Sequence, residues 1–430
     1  SVKIISHRSH AAMNTVSRPL EAGRGHSLLN LLSIRDYRLL LIGNALAFSC
    51  VQLRSMAQAW WVLEETGSPV WVGIVNSAPA LGLILFSLLG GTIADRTDRR
   101  KILVRSRFLA SALAFLTAYL VASDYIAMWN LIVIGIAAGT VFAFNNPASQ
   151  TYVMDVVGRE SLLPAISLNR TIGSVARIGG PALGGIVLAS LGLFSMFLLL
   201  CGMYTAAFAV SLFLKTRTEP VRPTSSSVLT DLKDGVRYVW KTPHVRWLLI
   251  ISLTAIFIGM FPALIPLYAL TILDSPFDRE VAYGVLLSST GIGALIGSIA
   301  LTAAGDVKKK GRLLLAAGML VSFSMVLFGL SRWFPLSVIA TLLLGAGGSA
   351  FTIGSGVLLQ ISVDAAMRSR VTSVFMLIVQ LFPLGWLLGG VLAELVGPTE
   401  TLVCGGATVL LLLSLAYVRS EEFRRIWPGA

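Results

Sequence analysis

The chain has 430 residues, 55% of them hydrophobic and 13% charged, and a net charge of +13. Soluble domains carry about 25% charged residues, so this chain lacks the polar surface to cover a water-facing globule of its size, whereas a bilayer tolerates apolar side chains outside. The positive charge is spread over short segments instead of a soluble domain, which argues against a nucleic-acid partner.

Residues 1–38 are polar, basic and Ser-containing, with no apolar core, so they predict a tail and not a signal peptide. Met13 is a candidate native start, and Leu28–Ile34 a candidate interfacial helix. Twelve segments then reach the roughly 20 mainly apolar residues of a membrane helix. They are 39–62, 69–93, 102–122, 126–150, 164–189, 193–214, 246–270, 281–304, 312–331, 335–359, 370–396 and 399–418. With the N-terminus inside, Arg54, Arg170 and Arg177 fall within helices, Arg279 and Arg332 in outside loops, and the remaining Lys and Arg in inner segments. That asymmetry follows the positive-inside rule and predicts both termini cytoplasmic.

Residues 39–214 and 246–418 form two six-helix units, joined by a cytoplasmic stretch at 215–245 and followed by a cytoplasmic tail at 419–430. The joining stretch opens on the linker Glu219–Ser227. Val228, Leu229, Leu232, Val236, Val239 and Trp240 then recur at helical spacing, which predicts an amphipathic helix on the inner face. Basic turns recur after the second helix of each unit (Arg96–Arg107; Lys308–Arg312), and Arg-bearing turns after the fourth, as parallel repeats would give. The predicted fold is an all-α membrane protein of twelve transmembrane helices in two pseudo-symmetric six-helix bundles. Cys50, Cys201 and Cys404 sit in apolar segments as packing residues, and neither metal-ligand spacing nor a catalytic set is present, so the reading is a non-enzyme without metal or cofactor.

The stretch Gly91-Thr92-Ile93-Ala94-Asp95-Arg96-Thr97-Asp98-Arg99-Arg100-Lys101 resembles the loop motif of the major facilitator superfamily, Gly-x-Leu-Ala-Asp-Arg-x-Gly-Arg-Arg/Lys, with Ile93 and Asp98 replacing the usual Leu and Gly. Asp95 at a helix end can pair with nearby bases or cap a helix N-terminus. With Gly91, Arg96, Asp98, Arg99, Arg100 and Lys101 it forms a candidate gate that latches the halves in one state and releases them in the other. In segment five, Val175–Gly185 resembles the Gly-Pro-x-x-Gly-Gly motif of exporters and antiporters in that superfamily. Here Ala176, Gly180 and Gly184 form a small-residue stripe beside Pro181 and Gly185, with Ser289, Gly293 and Gly297 of segment eight as the expected matching face.

The stretches Gln58–Pro69, Asn145–Gln150 and Gly158–Asn169 resemble the bacterial branch of enterobactin-exporter-like and macrolide-efflux-like proteins, over about residues 35–418. The resemblance implies alternating access in the bacterial inner membrane, a small-molecule substrate and export on the proton gradient. It further implies a cavity lined in the first half by the first, second, fourth and fifth helices. The expected protein works as a monomer in the lipid bilayer. Multidrug or macrolide efflux and lysophospholipid flipping are alternatives within transport, and a membrane scaffold or sensor is the alternative outside it.

Arg54 and Arg177 each fall within roughly 6 Å of a helix midpoint at 1.5 Å per residue. A mid-membrane Arg costs about 2.5–3.5 kcal/mol even on the lenient insertion scale, so each is expected to face a cavity or a partner. Arg170, Ser174, Arg177 and Pro181 share one stripe of segment five. Gln58, Asn146 and Gln380 are further candidates for the cavity wall, with Asn44, Asn76, Asn145 and Gln360 as polar neighbours and Trp60, Tyr268 and Trp386 as aromatic walls. No Asp or Glu lies near a helix midpoint. The cavity charge is therefore expected to be positive, and the cargo amphiphilic and anionic, siderophore-like.

Overall fold

The computed structural model describes residues 28–216, 228–303, 310–365 and 367–419, without the side chains of residues 28–29, 88, 91–92, 94–96, 228–232, 310 and 419. Its first part comprises α1 (Leu28–Ser33), α2 (Arg35–Thr66), α3 (Pro69–Arg96), α4 (Arg99–Ala122), α5 (Met128–Val157) and α6 (Leu162–Leu212). A short α7 (Val228–Lys241) precedes α8 (Pro243–Ser252), α9 (Thr254–Leu267) and a π-helical turn (Tyr268–Ile272). The last part comprises α10 (Arg279–Ala303), α11 (Lys310–Leu330), α12 (Phe334–Ser362), α13 (Arg368–Val379), α14 (Phe382–Val396) and α15 (Pro398–Arg419). No strand occurs among the described residues.

Among the described residues, eleven helical stretches are long and apolar enough to cross a membrane, counting Pro243–Ile272 and Arg368–Val396 as one each. The sequence predicts twelve, and the difference lies in α6. This element runs 51 residues, about 76 Å at 1.5 Å per residue, more than twice the ~30 Å of bilayer hydrocarbon. At Gly192 the backbone leaves the helix with φ 78° and ψ 176°, a region open to glycine for want of a Cβ. Gly192 thus turns the chain between two helical arms with no loop between them. The predicted boundary at 189–193 falls on this turn.

Packing repeats between the two parts. Helix α3 packs on α5 as α10 packs on α12. Helix α4 packs on the second arm of α6 as α11 packs on α15; Ser111 and Thr205 exchange a hydrogen bond of 2.8 Å in one pair, and Ser322 donates to the Gly406 carbonyl at 2.7 Å in the other. Helix α2 packs on α6 as α9 packs on α14. The predicted amphipathic helix is α7, which lies on α13 through an Asp234–Arg370 ion pair at 3.2 Å and through Gly235, beside the Arg370 backbone. Val239 is buried, whereas Val236 and Trp240 are exposed.

Two seams join the parts. Along the first, α6 meets α10: a Cβ on Gly284 would stand 2.6 Å from the Pro181 carbonyl oxygen and 3.0 Å from the Gly185 Cα, so only glycine lets the backbones approach this closely. The small stripe therefore divides its work. Gly185 meets α10, while Gly180 and Gly184 face Ser49, Gln52, Leu53 and Met56 of α2. The expected face of α10 is also different, because Gly293 and Gly297 pack against Leu342 and Ala346 of α12, and Gly284, Ser288 and Gly291 meet α6. Along the second seam α3 meets α14, where Gly73 approaches the Trp386 carbonyl and Gly390 the Pro69 carbonyl. At the same end, Trp60 stacks on Tyr283 with centroids 5.9 Å apart, and Ser68 donates to Glu394.

Candidate functional site

A cavity of about 240 Å³ lies within the first part, walled by α2, α3, α4, α5 and the second arm of α6, with Pro383 of α14 touching it. Its walls are mainly apolar, formed by residues such as Phe48, Leu83, Phe142 and Leu200. Pro79 and Pro147 interrupt the hydrogen-bond ladders of α3 and α5, and Pro79 is itself on the wall. Among the described residues no Asp or Glu lines the cavity, whereas the guanidinium groups of Arg54 and Arg107 do.

Arg54 sits on α2 and donates from Nη1 to Gln58 Oε1 at 3.0 Å, one helical turn on. Gln58 is buried at 1% exposure, stays behind the wall, and its Nε2 has no partner. Tyr204 stands on the wall with Arg54. Asn146 lines the cavity and accepts from Gln150 Nε2 at 3.1 Å. Asn76 accepts from the Ser55 hydroxyl at 2.9 Å, and Asn145 from the Ser106 hydroxyl at 2.9 Å; all four side chains are held between neighbouring helices, and Asn76, Ser106 and Asn145 are on the wall.

Arg177 and Gln380 are not among the wall residues. Arg177 lies exposed on the first arm of α6, its carbonyl 3.0 Å from where a Cβ on Gly291 would stand, so it belongs to the seam with α10. Gln380 caps α13, its backbone N–H donating to the Met376 carbonyl at 3.0 Å. The first arm of α6 thus adds nothing to this wall, and α4 with the second arm of α6 takes its place. Of the expected aromatic walls, Trp60 is at the seam and Tyr268 is buried with its hydroxyl on the Gly329 carbonyl at 2.8 Å.

Arg107 is the wall residue that sequence reading assigned to the basic turn. It is 3% exposed. Nη2 donates to Asn44 Oδ1 at 2.8 Å, and Asn44 in turn donates from Nδ2 to Asn169 Oδ1 at 3.0 Å. The available signal is depth: Arg107 lies eight residues into α4, about 12 Å from its start, where the mainly apolar run from Phe108 begins.

The loop motif is organised around the start of α4. Asp98 caps the helix, its carboxylate accepting from the Arg100 N–H at 3.1 Å, the role an acid plays at a helix N-terminus. Its φ of −56° needs no glycine, which explains how Asp replaces Gly here. Arg99, 4% exposed, donates to Asp155 of α5 at 2.7 Å. Arg100 donates from Nη2 to the Leu212 carbonyl at the end of α6 at 3.3 Å, and Lys101 is exposed. The side chains of Gly91, Asp95 and Arg96 lie outside the described residues. The described part of the motif therefore clamps α4 to α5 and α6 within one half.

Comparison with known proteins agrees with this architecture. The family model for transmembrane secretion effectors matches residues 27–424. The chain is similar to the multidrug efflux pump Tap of Mycolicibacterium fortuitum, 26% identical, covering 83% of this chain and 89% of the relative. It is also similar to the staphyloferrin A transporter of Staphylococcus aureus, 25% identical, covering 85% and 91%. Among solved structures, a bacterial homologue of the human lysosomal transporter Spinster superposes with a TM-score of 0.68 at 14% identity, over 92% of this chain and 98% of that one.

Proposed function

This chain belongs to the transmembrane secretion effector family of the major facilitator superfamily, and from that premise we propose that it exports a small amphiphilic molecule carrying an acidic group. The observation that carries the reading is the cavity wall, mostly apolar, with cationic groups and, among the described residues, no carboxylate to balance them. A cation pump needs the opposite arrangement, because a buried positive cargo requires a negative partner. The staphyloferrin A transporter among the relatives supports a siderophore-like cargo.

The transport cycle in this reading is alternating access between the two halves. With α6 counted as two arms this reading has twelve crossings, so both termini and the Arg99–Asp155 clamp share one side, and the distribution of Lys and Arg supports the cytoplasmic one. The seam at Trp60, Ser68, Gly73 and Glu394 then closes the outer side. Export runs as a monomer in the bacterial inner membrane on proton antiport, with Asp155 as a candidate carboxylate for coupling.

The test is counterflow in proteoliposomes loaded with 11-(dansylamino)undecanoate or its methyl ester. Accumulation of the acid over the ester, lowered by collapsing the pH gradient, is the expected result. Equal handling of acid and ester removes the acidic-cargo reading, and transport indifferent to the gradient removes antiport. The apolar wall favours one second reading, efflux of lipophilic drugs, in which neutral compounds compete as well as acids.

A further inference from the structure

Arg107 holds a charge that its surroundings do not neutralise. Its side chain is 3% exposed on the cavity wall, and Nε and Nη1 have no hydrogen-bond partner. The single bond it makes is to the neutral Asn44, whose Oδ1 also accepts from the Ser149 hydroxyl at 3.3 Å. No described carboxylate pairs with it. The space it occupies is reserved by Gly43, where a Cβ would collide with Nη1 and stand 2.7 Å from Cζ. A guanidinium kept from water with two of three nitrogens unused is strongly unfavourable unless something completes it.

We propose that Arg107 is the carboxylate-binding residue of the cavity, and that the cargo docks its acidic group there with its apolar body along the wall. This rests on the acidic-amphiphile reading above and specifies its anchor. Arg54 lies ten residues beyond Asn44 on α2, about 15 Å away along the helix, and already donates to Gln58. Arg107 has two buried nitrogens without a partner, and an anion docking beside the guanidinium supplies the charge-assisted acceptor it lacks. The two unpartnered nitrogens thus favour the Arg107 site over the Arg54 site.

The experiment is equilibrium binding of 11-(dansylamino)undecanoate and its methyl ester to detergent-purified full-length protein, read by energy transfer from tryptophan. Wild type is expected to prefer the acid at least 10-fold, and Arg107→Gln to abolish the preference while leaving ester binding unchanged. Two further variants keep the test sound if Arg107→Gln folds poorly. Gly43→Ala retains the charge but displaces the head group, and is expected to weaken acid binding selectively. Asn44→Asp supplies an internal carboxylate, and is expected to raise the thermal midpoint of the empty protein while weakening acid binding. An acid preference that survives in Arg107→Gln and Gly43→Ala but disappears in Arg54→Gln overturns the assignment and leaves the proposed function standing. No acid preference in wild type overturns both.

Discussion

The Arg99–Asp155 pair offers a measurable link between the loop motif and the stability of the first half. Replacing Arg99 with Leu strands a carboxylate whose partner stood 2.7 Å away. Breaking a buried pair costs about 3–5 kcal/mol. Asp155, however, keeps 20% of its side chain exposed against 5% for Arg99, so water can rehydrate it. The expected loss is therefore about 2 kcal/mol, the strength of a hydrogen bond to a charged group and a factor of about 30 in the folding equilibrium. Because Arg99 also has a further polar partner, the single variant overstates the pair. A double-mutant cycle with Asp155→Leu and the double replacement isolates it, measured by equilibrium unfolding in sodium dodecyl sulfate from dodecyl maltoside micelles. The double variant should recover much of the loss, giving a coupling of about 1–2 kcal/mol. Additive effects within about 0.5 kcal/mol would refute the clamp and reduce these charges to topology signals.

Substitutions at three further positions probe the backbone contacts. Gly284→Leu inserts a side chain where even a Cβ would stand 2.6 Å from the Pro181 carbonyl; a loss of about 1–3 kcal/mol in the same unfolding assay and lowered counterflow are expected. Gly139→Ala drives a methyl into the Pro79 carbonyl, at a point where α3 is already interrupted by proline, and should lower the thermal midpoint while leaving the Arg99–Asp155 coupling intact. Asp36→Asn weakens the bonds that the carboxylate accepts from Lys215 N–H at 2.9 Å, Thr216 N–H at 2.7 Å and the Thr216 hydroxyl at 2.6 Å. It should cost about 1–2 kcal/mol, and Asp36→Ala should cost more, since an amide can still accept.

Most of the membrane architecture was legible because a bilayer imposes a coarse rule, roughly 20 apolar residues per crossing, and the predicted segments lie within α2–α6 and α8–α15 or overrun them by a few residues. The rule is silent on breaks in the helices. Pro262 and Pro266 were visible in segment seven, but they lie inside α9, and the interruption comes earlier, at Leu253. Likewise α5 continues to Val157 past its predicted end at 150, because Tyr152 and Val153 are buried against neighbouring helices and packing extends the element. Facing is the other quantity a sequence hides. Gly293 and Gly297 read as a contact stripe and are one, but their partner is α12, since a small-residue pattern says that a backbone can come close and not whose. Arg177 and Arg107 fail in opposite directions for the same reason. Depth along the helix suggested a cavity for the first and proximity to Arg99–Lys101 suggested a surface for the second, while rotation about the axis leaves the Arg177 side chain exposed and puts Arg107 on the wall.

The repeat between the halves sharpens what Arg107 is for. The Ser111–Thr205 and Ser322–Gly406 contacts occupy matching places between α4 and the second arm of α6, and between α11 and α15. Setting Ser111 against Ser322 puts Arg107 opposite Gly318. At that position the second half is filled: a Cβ on Gly318 would stand 2.5 Å from Leu413 and 3.2 Å from Phe351. Side chains that serve the bundle recur in both halves, because both solve the same packing problem. A buried cation in one half, facing a packed glycine in the other, serves no shared packing need and is unfavourable to keep. Under the proposed reading a ligand completes the guanidinium, and the difference between the two halves at this position is then one of cargo binding.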